Sequence, residues 1–562
     1  VIPVIWESFR RDDGIIARGY WDQGLLERIF DRSIWRPPHP AVFEHFDGFA
    51  DFAGRGDGDG AIVVFPAQHH VDHIYIEMLN DHLSGLEWVI LFLTGDEHHL
   101  FRWQSVEHPN MRLWVMTPHP DIHTDPEIRA VPDGFKGDTP EILDELFLDT
   151  PGRDLRWSFL GQVNSDRRRE CVDALKVLDD EDSMLLETRG FTQGLDRREY
   201  LQSLMRSRFA PCPAGHAMPS SFRVYEALEA GCIPLPDVFS GHPRVPDSPQ
   251  FWGDLLGTDF IANVATFTDW NDAESFMDAV DDDGWFGAAA VASAWWQGYK
   301  RHLVYRLETD VRAFHPFDWS NLSRVDDHVT VLIPTSPIPS HPSTEIIEET
   351  VESIRLQFPG AEIIIGCDGV RPEQEHRAPL YAEYLYHLTR LCEHRWHNVI
   401  PIIADGWMHQ ANLTRMMLGE VNTDAVLFVE HDTPIYGDIP WADLLRVLGP
   451  LDVVRLSHES EILPDHRHLM IGQVEEFRGV PLQATVQWSQ RPHLASTAYY
   501  RQMIADHFPA TSRTMIEDKM HGVAQDDPAN HRIAIFHPEG DIKRSWHTDG
   551  RGEDPKFDMV FD

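Results

Sequence analysis

Lysine is nearly missing from this sequence. Only six of the 48 basic residues are lysine, and 91 aspartates and glutamates stand against them, for a formal net charge of −43. Polyanion binding needs a basic footprint, so this balance argues against nucleic acid as a partner and for solubility through self-repulsion. Cysteine is scarce too. Cys171, Cys212, Cys232, Cys367 and Cys392 are odd in number, scattered and never spaced as CxxC. That excludes a disulfide framework and a zinc ribbon, and suits a reducing compartment. No stretch approaches 18 consecutive apolar residues, so no membrane span is expected. The opening VIPVIWESFRRDD lacks the shape of a signal peptide. The expectation is a soluble protein of a bacterial or viral-host cytoplasm, with its oligomeric state left open.

What the sequence has is length and aromatic bulk. Its 562 residues, with 18 Trp and 30 Phe, exceed one ordinary core and predict roughly three to four structural units. Short apolar runs at 60–67 (GAIVVFPA), 86–95 and 111–118 end in Gly, Pro or Thr, as strands covered on both faces do. Between the first two, Ile74, Met78, Leu79 and Leu83 recur at helical spacing. This order predicts an α/β unit with a parallel sheet over 1–151. GRGDGDG (54–60) reads as a surface loop, because the closing Glu of a calcium loop is absent. A second alternating unit covers 152–314, a polar linker 315–327, and a third alternating unit 328–562.

In the middle unit, SRFAPCPAGHAMPSSFRVYEALEAGCIPL reads as strand, Pro/Gly loop, a Ser pair at a helix N-terminus, helix and strand. A loop feeding a capped helix start presents N–H groups and a positive dipole end to an anion such as a diphosphate. Arg223 adds charge there, and Glu226, one turn on, can accept from ribose hydroxyls. The plainer alternative is an i,i+3 pair of Arg223 with Glu226. His216 and the acids of the first unit are candidate bases.

In the last unit, successive strands end at Pro334-Thr335, at Cys367-Asp368-Gly369 and at LFVEHD (427–432). Ligands of open α/β sheets sit at the carboxyl ends of strands, so these residues gather at one edge if their strands are neighbours. On a strand, residues i and i+2 share a face, which points Glu430 and Asp432 together and His431 away. Such a pair suits Mg²⁺ or Mn²⁺ shared with phosphate oxygens, or else a solvated turn. Glu517 and Asp518 offer a carboxylate base for an acceptor hydroxyl, or else an exposed helix face. Trp488, Arg491, His493 and Tyr499 combine aromatic faces with polar groups, suited to acceptor positioning or to core packing. His537 and His547 lie near the end.

Residues 200–235 closely resemble the donor-binding signature of exostosin-family glycosyltransferases. The match runs through Pro213, Gly215, Ser221, Phe222, Arg223, Glu226, Ala227, Leu228, Ala230, Gly231, Cys232, Ile233 and Pro234. The resemblance implies a GT-B fold over about 1–315, two Rossmann-like domains with the donor held by the second, and metal-independent, inverting transfer. It places Ser220, Ser221, Arg223 and Glu226 at the donor. FLGQVNSDRRR (159–169), similar to a strand-loop of that family, adds Gly161, Arg167 and Arg168.

The last unit resembles GT-A glycosyltransferases in its I-P-T loop, its strand-end D-G and a D-x-D-like motif, here altered to Glu430-His431-Asp432. That implies donor contacts from Thr335, Asp368, Glu430 and Asp432, and a Mn²⁺ or Mg²⁺ ion on Glu430, Asp432 and His547. It implies Asp518, then Glu517, as the base, with Trp488, Arg491 and His493 toward the acceptor. Together the two resemblances imply a bifunctional glycosyltransferase acting from nucleotide-sugars, UDP-linked, on a glycan or protein acceptor. Two alternatives stand beside it: one catalytic module with an acceptor-binding scaffold, and a carbohydrate-binding protein without catalysis. A His-rich metallohydrolase is disfavoured, since the 32 His are dispersed and the neighbours His69-His70 and His98-His99 cannot face one metal from a strand.

Overall fold

The apolar runs of the N-terminal part become the strands of an all-parallel sheet. The computed structural model describes residues 3–7, 25, 26, 29, 42–46, 60–66, 73–95, 101–116, 128–148, 152–178, 181–190, 194–215, 218–239, 251–264, 266, 267, 269–280, 282–314, 324–457, 462–536 and 543–548. The chain divides into two units, Val1–Leu322 and Ser323–Asp562. Among the described residues no helix is long and apolar enough to cross a membrane.

Among the described residues the first unit holds two sheets. One comprises β1 (Pro3–Glu7), β2 (Val42–Phe46), β3 (Ala61–Pro66), β4 (Val89–Thr94), β5 (Met111–Val115) and β6 (Ile128–Ala130), in the order β2-β1-β3-β4-β5-β6. Every pairing in it is parallel. All six residues of β4 are buried, as a strand covered on both faces requires. Helix α1 (His73–Leu83) makes the crossover from β3 to β4. Gly60 is needed before β3, because a Cβ there would sit 1.9 Å from the indole of Trp88.

The other sheet is β7 (Leu155–Gln162), β8 (Ser183–Thr188), β9 (Ser207–Cys212) and β10 (Ile233–Pro236), ordered β10-β9-β7-β8 and also all parallel. Its crossovers are α2 (Asp166–Val177), α3 (Arg197–Arg206) and α4 (Phe222–Glu229). A single apolar core joins the two sheets, from Phe92 and Trp114 through Leu204 and Tyr225 to Trp296 and Leu303. The last two lie on α5 (Asp282–Phe314). Near the end of α5, buried Asp310 accepts the Trp114 indole N–H at 3.0 Å and pairs with Arg129 at 3.4 Å.

The second unit is one mixed sheet. Its strands are β11 (Val329–Thr335), β12 (Glu362–Cys367), β13 (Val399–Ile403), β14 (Ala425–Phe428), β15 (Val453–Leu456), β16 (Met470–Phe477), β17 (Val480–Thr485), β18 (His493–Ser496) and β19 (Ile533–Phe536). The order is β13-β12-β11-β14-β18-β15-β19-β17-β16, parallel from β13 to β14. β18 runs antiparallel between β14 and β15. Helices α6 (Glu345–Gln357), α7 (Ala378–His394), α8 (His409–Gly419), α9 (Thr497–His507) and α10 (Ile516–Asp526) complete the elements used below.

Candidate active sites

The condition set by the sequence is met in the second unit: β12, β11 and β14 are adjacent and parallel, with Thr335 opposite Cys367 and Leu332 opposite Phe428. Their carboxyl ends therefore share one edge. Thr335 is buried there; its carbonyl accepts the Asp368 N–H at 2.9 Å and its hydroxyl meets that of Tyr384 at 3.2 Å.

Asp368 works as an external cap for α8. Its carboxylate accepts the N–H groups of Gly369 at 2.9 Å, Met408 at 2.7 Å and His409 at 3.0 Å. Burial pushes its carboxyl above the ordinary range, against the pull of those three donors. The approach is close enough to require glycine, since a Cβ on Gly369 would lie 2.2 Å from the Gly406 carbonyl carbon.

Glu430 and Asp432 reach this edge by a different route from the one expected. β14 stops at Phe428, and residues 430–433 form a turn closed by Thr433 N–H to the Glu430 carbonyl at 3.1 Å. The strand alternation argued from the sequence is corrected: a turn, not a pleat, brings the two acids together. Helix α6 holds that turn from one side. The Thr350 hydroxyl donates to the His431 carbonyl at 2.8 Å, and the Ser353 hydroxyl accepts the Ile435 N–H at 2.9 Å. From the other side, segment 543–548 lies across it, with Thr548 N–H donating to the Asp432 carbonyl at 2.9 Å.

The result is a three-donor cluster. Ligand atoms of Glu430, Asp432 and His547 all lie within 4.8 Å of one another. The Asp432 side chain is fully buried, and its Oδ2 is 3.0 Å from His547 Nδ1. The donor set fits a divalent cation. Two ligands at about 2.1 Å from an octahedral ion, at right angles, are about 3.0 Å apart. Two carboxylate oxygens within 4.8 Å repel one another, and a cation between them relieves that repulsion.

The candidate bases stand in the first turn of α10. Glu517 accepts the Gln490 N–H at 3.2 Å and is half-buried, whereas Asp518 is exposed and near enough to His409 to raise its pKa. For His409 burial outweighs that effect, and its pKa falls overall. Gln410 was not anticipated. Its amide N–H₂ lies 3.4 Å from Glu430 Oε1, and its Oε1 accepts the Ile516 N–H at 2.9 Å, so it spans from the acid cluster to the start of α10. The signal was readable: Gln410 falls on the same helical stripe as buried Leu413 and Met417, and a polar residue on an apolar stripe calls for a partner.

The acceptor expectation is corrected for two residues. Trp488 and His493 are 1% and 0% exposed. His493 stacks on Phe428 with centroids 5.2 Å apart, donates from Nδ1 to the Arg491 carbonyl at 2.8 Å and faces the Tyr500 hydroxyl through Nε2 at 3.2 Å. The Trp488 indole donates to Gln490 at 2.8 Å. Their place beside β14 turns both rings into the core. Arg491 is half-exposed.

In the first unit, the candidate polar residues gather around the ends of β7 and β9 but face each other. Arg167 forms a two-point pair with fully buried Asp237, at 3.0 and 2.7 Å. Arg168 donates to the carbonyls of Ala214 and Gln162, both at 3.0 Å, tying the Pro/Gly loop to the end of β7. The Arg223 guanidinium donates to the Leu160 carbonyl and lies over Phe159 at 4.4 Å. A Cβ on Gly161 would strike it at 2.6 Å. Glu226, 3% exposed, pairs with Arg197 at 2.7 Å and accepts the Tyr200 hydroxyl at 2.8 Å.

Neither sequence reading of Glu226 anticipated these partners, because Arg197 and Tyr200 come from the preceding helix, α3. The Ser pair does not cap α4 by side chain either. Ser220 donates to Asp133 at 2.6 Å and meets the Tyr225 hydroxyl at 2.8 Å. Ser221 takes the N-cap position without a side-chain cap bond. His69, His70, His98, His99, His216, His537 and residues 54–59 lie outside the described residues.

No family model and no curated protein matches the chain. Solved structures overlap part of it. S. aureus TarS 1–349 in complex with UDP-GlcNAc shares 16% identity over 40% of this chain and 59% of that one, with a TM-score of 0.26. Mannosyltransferase PcManGT from Pyrobaculum calidifontis, in complex with GDP-Man and Mn²⁺, shares 14% over 45% and 68%, with a TM-score of 0.26. GalNAc-T7 with UDP, GalNAc and Mn²⁺ shares 7% over 37% and 42%, with a TM-score of 0.27. The chain spans about 60% of the TarS fragment. TM-scores this low carry no argument about fold or site.

Proposed function

We propose that the second unit is a cation-dependent glycosyltransferase of GT-A type that takes its sugar from a nucleotide-sugar, with a UDP-linked donor as the first candidate. The observation that carries this is the cluster Glu430, Asp432 and His547 on the same sheet edge as Thr335 and Asp368. Glu430, Asp432 and His547 would hold the cation, which when bound neutralises the adjacent phosphates of the donor and leaving group. One imidazole among the donors favours Mn²⁺ over Mg²⁺, whose ligands are oxygens. Asp368 fixes the start of α8 and offers its remaining lone pairs to the nucleoside.

Asp518 is the proposed base, since the carboxylate of Glu517 is engaged by the Gln490 N–H. In a single displacement Asp518 takes the proton of the acceptor hydroxyl, whose oxygen bonds to the anomeric carbon. The bond from that carbon to the phosphate oxygen breaks, and the nucleoside diphosphate leaves. Arg491 remains a candidate for orienting the acceptor.

For the first unit we propose a GT-B, exostosin-like transferase with its donor at the start of α4, near Ser221, making the whole chain bifunctional. A second reading keeps catalysis in the second unit and makes the first an acceptor-binding scaffold. The internal pairing of Arg167, Arg168, Arg223 and Glu226 favours it.

Binding of UDP, UDP-sugars and GDP-mannose, with and without Mn²⁺, tests both units. The proposal expects one Mn²⁺-dependent site that Asp432→Asn weakens by about 10- to 100-fold and one metal-independent site that it leaves unchanged. A Mn²⁺-dependent site untouched by Asp432→Asn would sink the assignment of the second unit. Absence of any metal-independent site would leave the scaffold reading for the first.

A further inference from the structure

Segment 543–548 reaches the candidate cation site as a strap with its own fastening. Ser545 forms an antiparallel bridge with Ile435, and its hydroxyl reaches the Thr433 carbonyl at 3.4 Å. Tyr436 N–H donates to the Arg544 carbonyl at 2.9 Å, Arg544 N–H to the Ser457 carbonyl at 3.1 Å, and the Arg544 guanidinium to the Asp438 carbonyl at 2.7 Å. These bonds fix residues 544 and 545, and Thr548 is fixed by the Asp432 carbonyl. The two residues between, Trp546 and His547, have side chains with different destinations. His547 turns in to Asp432. Trp546 lies face to face on Tyr436, with centroids 3.9 Å apart and 7° between planes. Tyr436 is itself tied to α6, its hydroxyl donating to Glu349 at 2.6 Å.

We propose that Trp546 is a positioning residue for the cation site: its stack on Tyr436 sets the backbone on which His547 presents Nδ1 beside Asp432. The inference rests on the reading of Glu430, Asp432 and His547 as cation ligands. Trp546 acts here through the backbone and its stack on Tyr436. It removes the freedom the strap would otherwise keep between Ser545 and Thr548, so the imidazole arrives already oriented, as supporting residues do around metal ligands.

The test is a double-mutant cycle on Mn²⁺ affinity of the full chain, read by calorimetry or by the free-ion Mn²⁺ resonance signal, with no donor or acceptor present. The expected result is that Trp546→Ala weakens Mn²⁺ binding about 10-fold, within the range that supporting residues command, while Trp546→Phe, which keeps a ring on Tyr436, stays within about 3-fold. Because Trp546 acts through His547, the variant Trp546→Ala/His547→Ala should bind no more weakly than His547→Ala. The thermal midpoint of the metal-free protein should change little. Equal weakening by Trp546→Ala in the presence and absence of His547 would overturn the proposal, as would unchanged affinity in Trp546→Ala when the unsubstituted protein binds. If the unsubstituted protein binds no Mn²⁺ at all, the cation-site reading fails first and takes the strap's role with it.

Discussion

His493 makes the second unit sensitive to acid, by an amount the structure lets one work out. It is fully enclosed against Phe428, Trp488 and Tyr500, and burial is the largest influence on it, lowering its pKa from 6.5 to about 4. The Arg491 carbonyl at Nδ1 pulls the other way, and Arg455 adds to the lowering. In the unfolded chain the imidazole takes up a proton below about 6.5; in the folded chain it stays neutral until about 4. Stability is thus fully present above 6.5 and is lost as pH falls toward 4. At pH 5 the gap below 6.5 is about 1.5 units, worth about 2 kcal/mol at 1.36 kcal/mol per unit.

The perturbation is His493→Gln, which keeps a hydrogen-bonding side chain and removes the titration. The assay is urea unfolding at pH 7.5 and pH 5, read by hydrogen exchange of peptides covering β14 and β18, so that the second unit reports by itself. The variant is expected to be less stable at pH 7.5, by about 1–2 kcal/mol for imperfect packing and bonding. Its deficit should shrink by about 2 kcal/mol at pH 5, where the imidazole becomes a liability to the unsubstituted protein. A deficit that is the same at both pH values would refute the reasoning.

Three further outcomes follow from individual contacts. Asp432→Asn should lower Mn²⁺ affinity of the full chain by about 10- to 100-fold, because the amide removes a charge from a three-donor set, and calorimetry checks it. Glu229 and Lys300 form a buried pair at 2.6 Å, with 0% and 4% side-chain exposure. Glu229→Ala should cost about 3–5 kcal/mol, whereas replacing both residues by apolar ones of similar volume should cost far less, as denaturant midpoints of the first unit would show. Gly369→Ala should cost about 1–3 kcal/mol or more in the second unit, since its methyl group would force the Gly406 carbonyl away and loosen the Asp368 cap of α8.

The sequence carried the parallel parts of the fold well, because strands covered on both faces write themselves as continuous apolar runs. The runs at 60–67, 86–95 and 111–118 fall on β3, β4 and β5, and the helical spacing from Ile74 to Leu83 falls on α1, His73–Leu83. The antiparallel part was much less legible. β18 slots between β14 and β15, beginning 65 positions after the first ends and 37 after the second, and no local period encodes such a partner. That non-local strand is also why Trp488 and His493, polar and aromatic in sequence, are enclosed in the structure. At the candidate cation site the residue types were readable but the geometry was not. Glu430 and Asp432 share a turn, and His547 arrives on a strap more than 100 residues downstream. In the first unit, each charged residue near the loop suggested a ligand contact, and each found an internal partner on another element.

Glu226 shows how that last point changes an experiment. A charge-removing alanine at this position is the obvious probe of a donor site, yet the side chain is 3% exposed and holds both Arg197 and the Tyr200 hydroxyl. Removing it leaves the largely enclosed Arg197 guanidinium with only the more exposed Asp138 at 3.4 Å and the Thr139 hydroxyl, at a cost of about 3 kcal/mol, the lower end for breaking a buried pair. Loss of sugar transfer in Glu226→Ala would then report unfolding of the first unit as readily as loss of a ribose contact. Glu226→Gln separates the two. The amide keeps the volume and one acceptor for Tyr200, so the unit should remain folded with a smaller loss of about 1–3 kcal/mol. If Glu226 serves only to join α4 to α3, metal-independent UDP affinity should be unchanged in Glu226→Gln once folding is confirmed by urea titration. If it also accepts from the ribose, affinity should fall severalfold in protein that is still folded. Unchanged stability in Glu226→Ala would contradict the buried ion pair itself.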